Sequence, residues 1–281
     1  YNGPSNKKNS RIFKQLYMKK YLVIGNPITH SLSPELHNYW IKENGINGIY
    51  SKEKLNEQGL KEIFLKIKNK EINGANITVP FKKDVIAYLD RLSLEAEKTQ
   101  SVNTVYLNKD KITGHNTDID GFEFAIKDAS YNVEGKKVLI LGAGGVVSSI
   151  IFALYKMKVL SVTISNRTKS KAENLKSLFN DLEIVNWGEV SNFDMIINAT
   201  SIGLKKEDKL NLDFSKFQNS EFFYDIIYNP KETNFLKDGK NLGKKIENGK
   251  KMFIYQAAKA FKIWHGIEPK ISEQVIGLLD K

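Results

Sequence analysis

The stretch Val138-Leu-Ile-Leu-Gly142-Ala-Gly-Gly145-Val146 decides how the rest of the chain is read. Four apolar residues make a buried strand, a glycine turn follows at once, and the apolar run beyond it opens a helix. Strand, glycine turn and helix in that order begin a dinucleotide-binding unit. The glycines permit the tight turn and let a pyrophosphate reach backbone N–H groups at the positive end of the helix. The uncharged run 138–155 is also about long enough to cross a membrane as a helix. Gly142, Gly144, Gly145, Ser148 and Ser149 within it favour a buried strand turning into a helix instead. The third position of the usual G-x-G-x-x-G/A pattern is Val147, a departure that predicts a looser fit of this helix on its sheet.

Outward from that turn, short β-branched runs alternate with longer periodic segments. Downstream the pattern predicts strands at 160–165, 183–187, 195–199 and 222–227 and a helix at 169–179, a doubly wound order. Upstream it predicts a strand at 21–25, a helix with Ser33 as N-cap and Pro34 in its first turn, and a helix at 58–67. A strand at 75–79 stopped by Pro80, a helix at 82–89, a hairpin of 103–107 with 111–114, and a helix at 118–127 follow. Two periodic helices, 252–265 and 273–279, close the chain. The expected fold is therefore α/β: two α/β domains flanking a cleft, the second a doubly wound Rossmann-type nucleotide-binding domain.

Composition narrows the function. The 281 residues contain no cysteine, which excludes disulfides, thiolate nucleophiles and cysteine-based metal sites and suits a reducing compartment, with the cytoplasm as the expected location. With only four histidines, no metal site is expected. The net charge of +11 invites a polyanion partner. Six of the cations, and no acid, fall in residues 1–20, and the remainder carries only +5, so neither nucleic acid nor a membrane is expected. Residues 1–17 read as a disordered leader, either an extension ahead of Met18 or an acid-free transit-like segment.

Lysine serves as the cation nearly everywhere, which draws attention to the three arginines. Arg167 stands about twenty residues beyond the glycine turn, in Asn166-Arg167-Thr168, where an acid would bind the ribose of NAD. A guanidinium that forks onto phosphate, beside a threonine hydroxyl, suits the 2′-phosphate of NADP(H) instead. In the first half, four polar clusters exceed what a core requires: Ser31-Leu-Ser33-Pro34, Asn76-Ile-Thr78-Val-Pro80-Phe-Lys82, Ser101-Val-Asn103-Thr104 and Asn116-Thr117-Asp118. Taken singly each has a plainer reading, as cap, strand residue, turn former or solvated cation. Together they describe a pocket for a small polyhydroxylated acid.

These stretches, with Asn198-Ala-Thr-Ser-Ile-Gly203 and Gln256-Ala-Ala258, occur in an order that resembles the shikimate dehydrogenase family from about Tyr21 to the C-terminus. The resemblance implies reversible NADPH-dependent reduction of 3-dehydroshikimate to shikimate, in chorismate and aromatic amino acid biosynthesis. It implies that Ser31 and Ser33 hold the substrate carboxylate, that Thr78, Asn103, Asp118, Tyr228 and Gln256 contact the ring and its hydroxyls, and that Lys82 and Asp118 are the catalytic pair, with Lys83 a bystander. For the cofactor it implies Gly142, Ala143, Gly144, Gly145, Val146, Asn166, Arg167, Thr168, Lys171, Ile226 and Gly249. Lys171 keeps charge but lacks the guanidinium often found there, and Leu94 replaces an acid often found near the nicotinamide. The resemblance also implies a discontinuous substrate domain of 18–117 and 250–281 around a cofactor domain of 118–249, and a homodimer is left open. The alternatives are a quinate/shikimate paralogue with broader substrate or cofactor use, a non-catalytic protein on the same scaffold, and a nucleic-acid binder. Arg167-Thr168, the retained Lys82 and Asp118, and the +5 body disfavour them in turn.

Overall fold

The computed structural model describes residues 18–189 and 192–280; the expected leader lies outside the described residues. In chain order its elements are β1 (Lys19–Gly25), α1 (Ser33–Glu43), β2 (Gly48–Lys54), α2 (Glu57–Lys68), β3 (Gly74–Ile77), β4 (Arg91–Leu92), α3 (Leu94–Thr99), β5 (Thr104–Asn108), β6 (Lys111–His115) and α4 (Asp118–Asp128). There follow β7 (Lys137–Leu141), α5 (Val147–Lys156), β8 (Ser161–Ser165), α6 (Lys169–Lys176), β9 (Glu183–Val185), β10 (Met195–Asn198), β11 (Phe222–Asp225), α7 (Asn234–Asn241), β12 (Lys245–Glu247), α8 (Lys250–His265) and α9 (Glu273–Gly277). These divide into two compact units: 18–92, 102–115 and 260–280, and then 93–101 with 116–259.

The first unit is built on a mixed six-stranded sheet, β2-β1-β3-β5-β6-β4. β1 runs parallel to β2 and β3, while β5 is antiparallel to both β3 and β6. Its central strand β1 buries Tyr21 to Gly25 without alternation, as a strand covered on both faces must. Helix α2 is capped by Asn56, whose side chain accepts from the Gly59 amide, and it buries Leu60, Ile63, Phe64 and Ile67 as one stripe. Each such side chain contributes about 1.5–3 kcal/mol by leaving water. From residue 260 onward the chain returns to this sheet. Trp264 lies 5.0 Å from the Tyr21 ring and donates to the Val105 carbonyl, and Trp40 donates to the Lys270 carbonyl.

Three upstream expectations need correction. Ser33 caps nothing: it is the first residue of α1. The expected strand 75–79 ends at Ile77, because Asn26 takes the Val79 carbonyl and the chain turns at Thr78. The expected helix 82–89 is a turn followed by a 3-10 helix at Asp84–Tyr88. Strand β2 escaped notice because it is an edge strand on which Tyr50 alone is fully buried.

In the second unit six strands run parallel in the order β12-β11-β10-β7-β8-β9. That is the dinucleotide-binding order, reversing direction between β7 and β10. Val147 is fully buried in the core with Ile150, Val138 and Val162, so this position is filled by an apolar side chain. The first part of α8 belongs here because Gly121 of α4 lies against Met252 and Gln256. Among the described residues no helix is long and apolar enough to cross a membrane, and no cluster of potential metal ligands occurs.

Candidate active site

In the first unit the C-terminal ends of β1, β3 and β6 share one sheet edge with the start of β5, as the registers Ile24 with Ile77, Asn76 with Thr104 and Thr104 with His115 require. Ser31 and Ser33 follow β1, and the Ser33 amide donates to Ser31 Oγ at 3.3 Å. Ser33 is buried and Ser31 half-buried. Thr78 follows β3, its amide bonded to the Ile24 carbonyl and its methyl against Gly25, so the loops after β1 and β3 meet. Phe81, 2% exposed, anchors the next turn in the core. The Lys82 carbonyl accepts from the Val102 amide at 2.8 Å, which brings Lys82 beside the segment that carries buried Asn103. Lys82 is half-buried and Lys83 exposed, which separates the two lysines physically.

In the second unit Asp118 begins α4, three residues past β6. Asn116, fully buried, fixes its entry: Oδ1 accepts the Asp118 amide at 3.1 Å, and Nδ2 donates to Thr99 Oγ1 and Ser149 Oγ. Asp118 is 6% exposed. Gln256 sits against Gly121, one turn along the same helix. Tyr228 follows β11 and stacks on Phe253 at 5.0 Å.

The glycine turn lies at the reversal of strand order. Gly142 has φ +108°, and a Cβ there would lie 2.8 Å from the Ala199 carbonyl oxygen, so only glycine fits. Gly145 meets nothing within 4 Å, and Gly144 only the Ala199 oxygen at 3.8 Å. The fold itself does not demand glycine at these two places, which leaves the backbone there open to a ligand. Ala143 and Val146 complete the turn, with α5 starting at Val147. Beyond β8, Asn166 Nδ2 donates to the Thr168 carbonyl, and Arg167, Thr168 and Lys171 are exposed around the start of α6, whose first turn holds no acid. That is a cationic corner suited to a phosphate. Gly249 lies against the Ile226 carbonyl, joining the loops after β11 and β12. The residues present thus fit a dinucleotide with a 2′-phosphate.

Sequence reasoning passed over Asp225. It ends β11, is fully buried, and accepts from Thr233 Oγ1 at 2.6 Å, the Ile227 amide at 3.0 Å and Asn198 Nδ2 at 3.1 Å. Asn198 Oδ1 in turn takes the amide and hydroxyl of Thr200. This network shapes the loop that packs on Gly142. Burial pushes the Asp225 carboxyl up to about 6 against the pull of its three donors. A lone acid closing the run Phe222-Phe-Tyr-Asp225 was the available signal.

Family models describe the chain in three consecutive parts. "Shikimate dehydrogenase substrate binding domain" matches residues 23–105, "Shikimate / quinate 5-dehydrogenase" residues 123–232, and "Shikimate 5'-dehydrogenase C-terminal domain" residues 251–273. Shikimate dehydrogenase (NADP(+)) of Pelagibacter ubique is 56% identical over 262 residues, covering 93% of this chain and 99% of its own. Among solved structures, shikimate dehydrogenase from Aquifex aeolicus superposes with a TM-score of 0.85 at 38% identity, covering 94% of this chain and 98% of that one. Shikimate 5-dehydrogenase from Thermus thermophilus, solved in complex with NADP(H) and shikimate, gives 0.84 at 31% identity over 94% and 98%.

Proposed function

Because this chain belongs to the shikimate dehydrogenase family, we propose that it reduces 3-dehydroshikimate to shikimate, reversibly and with NADPH, as a step of aromatic amino acid biosynthesis in the cytoplasm. It is an NADP-dependent oxidoreductase acting on a CH-OH group. The observation that supports the site assignment is that most of the residues singled out from the sequence lie at one end of each sheet, with Asp118 and Gln256 on helices α4 and α8. In the first unit they follow β1 and β3 and precede β5; in the second they follow β7, β8, β11 and β12.

The first unit, joined by the chain's end, serves as the substrate domain and the second as the cofactor domain. Gly142 to Val146, Asn166 to Thr168, Lys171, Ile226 and Gly249 hold NADP(H), which supplies a hydride when bound. Ser31 and Ser33 take the substrate carboxylate, and Thr78, Asn103, Asp118, Tyr228 and Gln256 its ring and hydroxyls. Hydride addition to the C3 carbonyl carbon leaves negative charge on the oxygen. The Lys82 ammonium stabilises that charge and gives the oxygen a proton, and Asp118, its catalytic partner, orients the hydroxyl. The half-burial of Lys82 strengthens this interaction relative to the exposed Lys83.

Mixing shikimate and NADP+ with the protein tests the reading: absorbance of reduced nicotinamide should rise, and Lys82→Ala should lower kcat by about 10²–10⁴-fold. Lys83→Ala should keep the wild-type rate. Wild-type turnover by Lys82→Ala would overturn the assignment of the proton donor.

A further inference from the structure

Behind the proposed substrate residues of the first unit runs a chain of buried hydrogen bonds that no step of the reaction uses. The Tyr50 hydroxyl donates to Asn76 Oδ1 at 2.7 Å. Asn76 Nδ2 donates to the Asn103 backbone carbonyl at 3.0 Å and to Thr104 Oγ1 at 3.1 Å. The Thr104 hydroxyl donates to Asn103 Oδ1 at 3.1 Å. Tyr50, Asn76, Asn103 and Thr104 are each no more than 7% exposed, so water offers no substitute partner.

The direction of this chain is fixed by one group. The Asn103 carbonyl can only accept, so the Asn76 amide must point its nitrogen at it; the reversed amide would set two oxygens face to face in a buried site. Asn76 Oδ1 then faces Tyr50, which must donate. Burial helps by pushing the Tyr50 phenol well above its usual range, so that it keeps the proton. Thr104 accepts from Asn76 and donates to Asn103 Oδ1. The Asn103 side chain is therefore held by its oxygen, and its nitrogen is the end that faces away from Thr104.

We propose that Thr104, backed by Asn76 and Tyr50, is a positioning residue that orients the Asn103 amide so that it meets the substrate as a hydrogen-bond donor. The inference rests on the reading of Asn103 as a substrate contact. It explains why a threonine, β-branched and stiff, sits where its hydroxyl must do two things at once. It also sets the chemistry that the pocket accepts at this point: an oxygen with a free lone pair, such as a hydroxyl or carboxylate oxygen, and not a group that can only donate.

The test compares Thr104→Val, which keeps shape and removes both hydrogen-bonding functions, with Thr104→Ser, which keeps them. The KM for shikimate should rise about tenfold in the valine variant, equivalent to ~1.4 kcal/mol, and stay within about twofold in the serine variant. The KM for NADP+ should stay within about twofold in both. Thr104→Ala, which adds no atoms, is the second variant should valine prevent folding, and the same outcomes apply. A wild-type KM for shikimate in Thr104→Val or Thr104→Ala, or a KM for NADP+ that rises in step with it, overturns the proposal. Failure of the wild-type protein to oxidise shikimate with NADP+ would instead overturn the proposed function, so the two failures are separable.

Discussion

Asp225 offers a measurement in which most unknowns cancel. Its carboxyl has an ordinary value of 3.8 and stands at about 6 in the fold, pushed there by burial at the end of β11. A carboxyl whose value is raised on folding binds its proton more tightly in the native state. Its contribution to stability is fully present below about pH 4 and is lost as pH rises through 6. The gap between 3.8 and about 6 amounts to ~3 kcal/mol at 1.36 kcal/mol per pH unit. Asp225→Asn cannot ionise. It also matches its three donors less well than the acid, a pH-independent penalty. Subtracting wild-type from variant stability at each pH removes that constant and every other titrating group common to both. The difference should climb in favour of the variant by ~2 kcal/mol between pH 4 and 7, the rest of the gap lying below pH 4, a relative shift in Tm of roughly 4 °C for a chain of this size. Differential scanning calorimetry or denaturant titration at half-unit pH steps supplies the data. A flat difference over that range would show that Asp225 is ionised throughout and that its three donors outweigh burial.

Other expectations concern the cofactor turn. Gly142→Ala places a Cβ 2.8 Å from the Ala199 oxygen at φ +108° and should cost about 1–3 kcal/mol of stability. Gly145→Ala meets nothing within 4 Å, so its Tm should match wild type while the KM for NADPH rises about tenfold. A loss of Tm in Gly145→Ala, or an unchanged KM, would mean that this glycine serves the fold and not a ligand. Arg167→Ala should raise the KM for NADPH about tenfold and leave that for NADH nearly unchanged; equal effects would remove Arg167 from the 2′-phosphate site.

What could be read from the sequence was local. The glycine turn announces itself because strand, turn and helix are contiguous, and Lys82 because it follows Phe81 in a short motif. At Val147 the pattern position says nothing of the space around it; in the structure the side chain is filled core. Ser33 looked like a cap because capping is the common use of serine before proline. Tyr50 was missed because it lies on an edge strand whose polar alternation hides one buried ring. The network of Asn198 with Asp225 and the bond from Asn76 to Thr104 join residues 27 and 28 positions apart, and no window of sequence shows which polar groups pair across adjacent strands.

The gathering of most of the proposed ligand residues at one end of each sheet leaves the opposite ends to turns and connections. The hairpin turn between β5 and β6 passes through Lys109 and Asp110, both with left-handed backbone, and the approaches to β7 and β8 pass through Gly135 and Lys158, also left-handed. These solvent-facing ends are where a reporter can be attached without disturbing chemistry. A dye, an affinity tag or a new pair of termini placed at Lys109-Asp110 would lie a full strand length from Asn103. The enzyme could then be immobilised, labelled for single-molecule work or circularly permuted there with its proposed catalytic end untouched.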